Sequence, residues 1–110
     1  MAVIDTNVAI ERLRRGEKIH ENITGVTFVE FPRIVRYSRF KGDVLFPNLD
    51  DYLLAHELQE KLLKRGSPQG FADLLIAAIC INRGEELITY DSDFEEIAKV
   101  SSLKLILLKR

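Results

Sequence analysis

The sequence predicts a three-layer α/β/α domain on a parallel sheet, and three observations carry that prediction. Short apolar runs alternate with stretches of helical period, the links between them are brief, and several apolar runs are hydrophobic at consecutive positions. Consecutive apolar residues suit strands covered on both faces, and strand–helix–strand units with short links form right-handed crossovers between parallel strands. A chain of 110 residues with 46% hydrophobic content supports one compact core and is too short for two, so a single domain over 1–110 is expected.

Each element has its own signal. Residues 1–4 form a short apolar strand, after which Val8, Ala9 and Leu13 keep a helical spacing from Asp5 until Gly16. A second strand over 22–27 is read from the β-branched Ile23, Thr24, Val26 and Thr27. The helix after it carries Val29, Ile34 and the aromatic residues Phe28, Phe31, Tyr37 and Phe40, read mainly as core, and ends near Gly42. Pro32 removes a backbone donor inside that helix, so a later start or a bend is expected. Residues 43–47 are a third strand. Leu53, Leu54, Leu58, Leu62 and Leu63 then line one face of a helix over 49–65 that stops at Gly66. Ser67 and Pro68 read as the cap and first residue of a fourth helix reaching Arg83, with Gly84 closing it. That helix is apolar on nearly every side from Leu74 to Ile81, which predicts burial. A fourth strand over 86–90, a short helix over 93–100 and a fifth strand over 104–108 complete the chain.

Composition narrows the class. No apolar run approaches the roughly 20 residues needed to cross a bilayer and no leader pattern precedes the first strand, so a soluble cytoplasmic protein with no membrane partner is expected. The single cysteine, Cys80, has no partner for an internal disulfide and lies in an apolar run, as a buried thiol would. A net charge of −1 selects no partner by itself, but residues 1–42 carry a surplus of three positive charges and residues 43–110 a surplus of four negative ones.

The carboxylates are the chemistry-bearing feature. Asp5 and Asp91 each follow an apolar strand directly, which puts both at the carboxyl edge where open α/β sheets bind ligands. Glu30, about one turn into the helix after the second strand, belongs to the same edge, and Asp73 is the only charge between Phe71 and Ile81. Each has a structural alternative. Asp5 can cap the first helix, Thr27 and Glu30 match a capping box, and Asp93 with Glu96 matches another. Asp73 gains from a helix dipole only near a helix start, and a start at Ser67 lies too far upstream to account for it. Several acids on one rim repel one another unless a cation joins them. Oxygen-only donors without nearby His or Cys select Mg²⁺ or Mn²⁺, whose chemistry at phosphorus is phosphodiester hydrolysis. His20 and His56 have no partner at ligand spacing and receive no role.

The run from Val3 to Asn7, Glu30, the run from Phe71 to Ala78, and the run from Thr89 to Phe94 resemble PIN-domain ribonucleases, most closely VapC-type toxins. The resemblance implies a five-stranded sheet ordered 3-2-1-4-5, RNA cleavage that leaves a 5′-phosphate, and a Mg²⁺ or Mn²⁺ site. It implies that Asp5, Glu30, Asp73 and Asp91 form that site with Asp93 as an additional ligand, and that Asn7 and Thr89 orient the acids. It further implies a homodimer and a small antitoxin that lays an arginine or lysine into the site and an apolar helix across Phe28, Phe31, Tyr37 and Phe40. The segment between Glu30 and Asp73 is shorter than in those toxins, which implies a trimmed helical clip around the site.

Positive charge near the rim is available for RNA. Arg33, Arg36 and Arg39 recur every three residues as a basic stripe, and Arg12, Arg14 and Arg15 end the first helix; a solvated, acid-paired face is the alternative for both groups. A second class of function is a non-catalytic regulatory module in which the acids bind Mg²⁺ and Asp5 or Asp91 accepts a phosphoryl group. It fits less well, because it would place a lysine after the last strand, where Lys109 and Arg110 only follow it, and has no use for Asp73 in an apolar helix.

Overall fold

The computed structural model describes residues 1–110. The elements run β1 (Ala2–Ile4), α1 (Thr6–Arg14), β2 (Ile23–Thr24), α2 (Gly25–Glu30), a 3-10 helix (Pro32–Arg36), β3 (Val44–Leu45), α3 (Leu49–Lys64), α4 (Phe71–Arg83), β4 (Glu86–Thr89), α5 (Phe94–Lys99) and β5 (Lys104–Leu107). All strand pairs are parallel.

The expected order of five strands is met only in part. Continuous ladders join β1, β4 and β5 in one sheet and β2 with β3 in another. The two meet at a single bridge, where Ile4 N–H donates to Asn22 O and Asn22 N–H donates to Ala2 O, both at 2.9 Å. The strands are too short to extend the ladder. Val26 and Thr27, whose β-branching predicted a longer β2, lie in α2. Gly42 lets the chain before β3 come close, because a Cβ there would sit 1.9 Å from Glu21 O.

Alternation along the strands creates two cores. Val3 and Leu87 face one way, packing with Leu58, Leu62, Leu74, Ala77, Phe94 and Ile97 from α3, α4 and α5. Ile4 faces the other way, into a cluster with Val8, Ala9, Ile19, Ile23 and Ile34 under α1 and the 3-10 helix. These are the outer layers of the predicted sandwich. Residues Leu74 to Cys80 are all buried, as the unbroken apolar run requires, and burial pushes the Cys80 thiol up to about 12. No helix is long and apolar enough to cross a membrane.

Two helix boundaries differ from expectation. The second helix does not continue to Gly42: α2 ends at Glu30, Phe31 leaves helical geometry at φ −137°, and Pro32 starts the 3-10 helix instead. The fourth helix begins at Phe71, not at Ser67. Gln59 holds the preceding segment out of the helix, its Nε2 donating to Gln69 O at 2.7 Å and its Oε1 accepting from Gln69 N at 3.0 Å. Ser67 uses its hydroxyl on Glu96, at 2.9 Å. Gly84 closes α4 in the left-handed conformation, φ +66°, as its position predicted.

Candidate metal centre

The carboxyl edge of β1 and β4 gathers the acids through a hydrogen-bonded frame. Asp5, 9% exposed, uses both carboxylate oxygens: Oδ1 accepts from Thr6 N–H at 2.8 Å and Oδ2 accepts from the Thr89 hydroxyl at 2.9 Å. It therefore caps α1 and faces the rim at once, so the two readings of Asp5 are compatible. Thr89 Oγ1 accepts in turn from Asp91 N–H at 3.0 Å, and Asp91 Oδ1 accepts from Asp93 N–H at 2.9 Å. A single buried threonine thus fixes the spacing of Asp5 and Asp91 across two strands.

Glu30 is held from the other side. The Thr6 hydroxyl donates to Glu30 Oε1 at 2.6 Å and lies 2.8 Å from Thr27 Oγ1. Thr6 has one hydroxyl hydrogen and Glu30 takes it, so Thr27 donates to Thr6. Thr27, fully buried, is therefore no helix cap: Thr24 occupies that position, without a side-chain cap bond, and the Thr27–Glu30 capping box does not form. Thr6 and Thr27 were not recognised in the sequence as site residues. A threonine beside an aspartate at a helix start reads as capping, and Thr27 sits in a β-branched run.

Asp73 differs from the rest. It lies in the first turn of α4, half-buried, where the dipole of a helix starting at Phe71 favours a negative charge more than the sequence suggested. Burial and the charges of Asp91, Asp5, Asp93 and Glu30 nonetheless push its carboxyl up to about 6, and no hydrogen bond or basic group offsets them. Burial also raises Asp5, against the bonds from Thr89 and Thr6 and with help from Glu30 and Asp91. Four other acids therefore act on Asp73 and two on Asp5, and none of the five is in an ion pair.

The remaining expected residues fall unevenly. Thr89 bonds Asp5 and the Asp91 backbone, whereas the exposed Asn7 borders a notch with Tyr90, Asp91 and Arg110 and makes no side-chain hydrogen bond to them. Asp93 stands at the N-cap of α5 with no side-chain cap bond, so its capping box with Glu96 is absent, and its side chain is exposed beside Asp91. Arg33, Arg36 and Arg39 are exposed, but Arg39 lies in the turn beyond the 3-10 helix. Among the expected apolar contacts, Phe31, Tyr37 and Phe40 pack against the second core, and only Phe28 reaches the surface groove, edge-on to Phe46 at 5.2 Å.

The donor set suits a hard divalent cation, being all oxygen and carrying an electrostatic penalty that such an ion relieves. No three of these acids converge on one ion position in this arrangement.

Fold and rim together define a parallel α/β domain with an acidic centre at the strand ends. The sequence pattern of the PIN domain matches residues 2–100, and the chain belongs to that family. No curated protein matches the sequence. Among solved structures, the fold is similar to VapBC-5 of Mycobacterium tuberculosis, a member of the VapBC family of toxin–antitoxin systems, at 23% identity and TM-score 0.76, covering 97% of this chain and 98% of that one. It is also similar to VapBC2 of Rickettsia felis, solved with a promoter DNA fragment, at 18% identity and TM-score 0.75, covering 96% and 97%. FitAcB of Neisseria gonorrhoeae gives 15% identity and TM-score 0.73, covering 96% of each.

Proposed function

We propose that this protein is a Mg²⁺- or Mn²⁺-dependent endoribonuclease and the toxin of a toxin–antitoxin pair. The observation that carries the reading is Asp73: a half-buried carboxyl raised to about 6 by burial and by four other acids, with no cation to offset them. Asp73, Asp5 and Asp91 would hold the metal, and Glu30 and Asp93 complete the acidic shell. A bound divalent ion supplies Lewis acidity at the scissile phosphate and lowers the pKa of attacking water. The chain's own residues supply position. Thr89 keeps Asp5 and Asp91 at fixed spacing, Thr6 aims Glu30 at the same rim, and the apolar body of α4 keeps the Asp73 carboxyl partly desolvated.

The partner reading is supported by surface next to Glu30. Phe28, Val29, Phe46, Tyr52 and Phe71 leave an apolar groove of about 450 Å³, large enough to receive hydrophobic side chains of an antitoxin segment whose arginine or lysine reaches the acids.

Cleavage of single-stranded RNA tests the enzyme reading. Activity is expected with Mn²⁺, lost with EDTA, and reduced at least about 100-fold by Asp5→Asn or Asp73→Asn, the order expected when a catalytic metal is misplaced. Wild-type rates in those variants would exclude the rim as the active site. Mn²⁺ binding without cleavage would point to the regulatory module.

A further inference from the structure

Two notches lie where α1 meets the 3-10 helix, and they share Leu13 and Arg33. One, about 370 Å³, is completed by Ile10, Arg14 and Phe31. The other, about 340 Å³, is completed by Arg36, Tyr37 and Ser38. The shared Leu13 and Arg33 join them into one groove, whose lining includes Phe31, the chain neighbour of Glu30.

The groove's arginines carry unpaired charge. Arg12 is paired with Glu21 at 3.0 Å and Arg15 with Glu11 at 2.8 Å, so two of the three arginines of the first helix region are neutralised. Arg14, Arg33 and Arg36 enter no ion pair and are exposed. A 3-10 helix eclipses positions three apart, which sets Arg33 and Arg36 side by side. Between the guanidinium groups lie apolar side chains and two aromatic rings. The groove is also built in advance. Ile34 is fully buried beneath it, and the Tyr37 hydroxyl donates to Glu17 O at 2.7 Å, tying the 3-10 helix to the segment after α1. Little conformational freedom is left for a ligand to remove.

Unpaired guanidinium groups interleaved with rings suit a polyanion that exposes base faces, which a single strand does and a stacked duplex does not. We propose that the groove is a single-stranded RNA track in which Arg14, Arg33 and Arg36 hold phosphates on one side of the bond addressed by the acidic rim. The assignment rests on the ribonuclease reading and extends it. Arg39, expected to act with the stripe, lines neither notch.

The test is fluorescence anisotropy of a labelled oligouridine in EDTA over a range of KCl, followed by Mn²⁺-dependent cleavage. Arg14→Gln, Arg33→Gln and Arg36→Gln are each expected to weaken binding several-fold and to reduce the slope of log affinity against log salt by about 0.7, the single-strand value per phosphate. Lys64→Gln, the same charge change on α3, is expected to leave the slope unchanged. In cleavage the groove variants raise KM and hold kcat. Wild-type slopes in the groove variants, an equal loss in Lys64→Gln, or equally tight binding of polyglutamate overturns the track. Cleavage at unchanged KM in the groove variants overturns the track and leaves the ribonuclease reading standing. Binding through these arginines by a protein that never cleaves RNA supports the track and removes the ribonuclease.

Discussion

The two ends of α4 each keep an aspartate partly or wholly from water, and the chain treats the two in opposite ways. At the C-terminal end Asp51, on α3, is fully buried and meets Arg83 through bonds of 3.0 and 3.1 Å, Asn82 Nδ2 at 2.9 Å and Asn48 N–H at 2.8 Å. Burial opposes its charge, but Arg83, Asn82 and Asn48 outweigh burial and hold the carboxyl below its usual range. At the N-terminal end Asp73 has no hydrogen bond or basic group acting on it, and is pushed up to about 6. The first acid has a full substitute for its hydration, whereas the second, left among four like charges, is the one we propose to hold the metal.

Breaking the neutralised end should have the larger effect on folding. Asp51→Ala strands the Arg83 guanidinium, and urea unfolding is expected to show a loss of about 3 kcal/mol, the low end for a broken buried pair because Arg83 is 25% exposed. Asp73→Asn should do the reverse. Native Asp73 titrates near 6 and the unfolded residue near 3.8, so the native state binds more protons between these values and stability falls as pH rises through them. Above that window the variant escapes the penalty. Without divalent ions its Tm should exceed wild type by a few degrees at pH 8 and match it at pH 4. Added Mn²⁺ should raise the wild-type Tm and leave the variant's almost unchanged, since a ligand stabilises only the state that binds it.

Metal affinity sharpens the comparison further. Asp73 must release its proton to ligate, so calorimetric Mn²⁺ affinity should climb with pH until about 6 and then level off. The climb should shrink in Asp73→Asn, leaving the part that belongs to Asp5, whose carboxyl is also raised. The smallest effect is expected at Thr27, which acts on Glu30 only through Thr6. Thr27→Val removes one neutral hydrogen bond, worth about 1 kcal/mol, and should lower kcat roughly fivefold, while Thr27→Ser retains activity. A change in the urea midpoint without a change in kcat would mark Thr27 as merely structural.

Much of this architecture was legible in residue order. The period switches located the five strands and the five α-helices but not the 3-10 helix, the unbroken run Leu74 to Cys80 announced a buried helix, and strand-end positions placed Asp5 and Asp91 on one rim. Two helix starts escaped, for different reasons. Pro32 signalled a disturbance without saying that a 3-10 helix would follow, and Ser67-Pro68 has the chemistry of a helix start but is held extended by Gln59, ten residues before Gln69. Local capping patterns at Thr27 and Asp93 were equally plausible by spacing and equally absent, because the Thr6 hydroxyl claims Thr27 and the Asp93 side chain makes no cap bond.

The sequence by itself determined the layers, the parallel direction of the strands and the place of Asp5 and Asp91 at the strand ends, since all three follow from side-chain period and from which residues end an apolar run. Only the tertiary structure decided that Asp73 opens α4 rather than sitting inside it, that Thr6 and Thr89 tie three acids, Asp5, Glu30 and Asp91, into one frame, and that Arg14 is free while Arg12 and Arg15 are paired. The physical reason is range. Period and propensity act over a few residues, whereas a carboxyl's proton affinity and an arginine's freedom depend on groups brought together from up to 84 positions away.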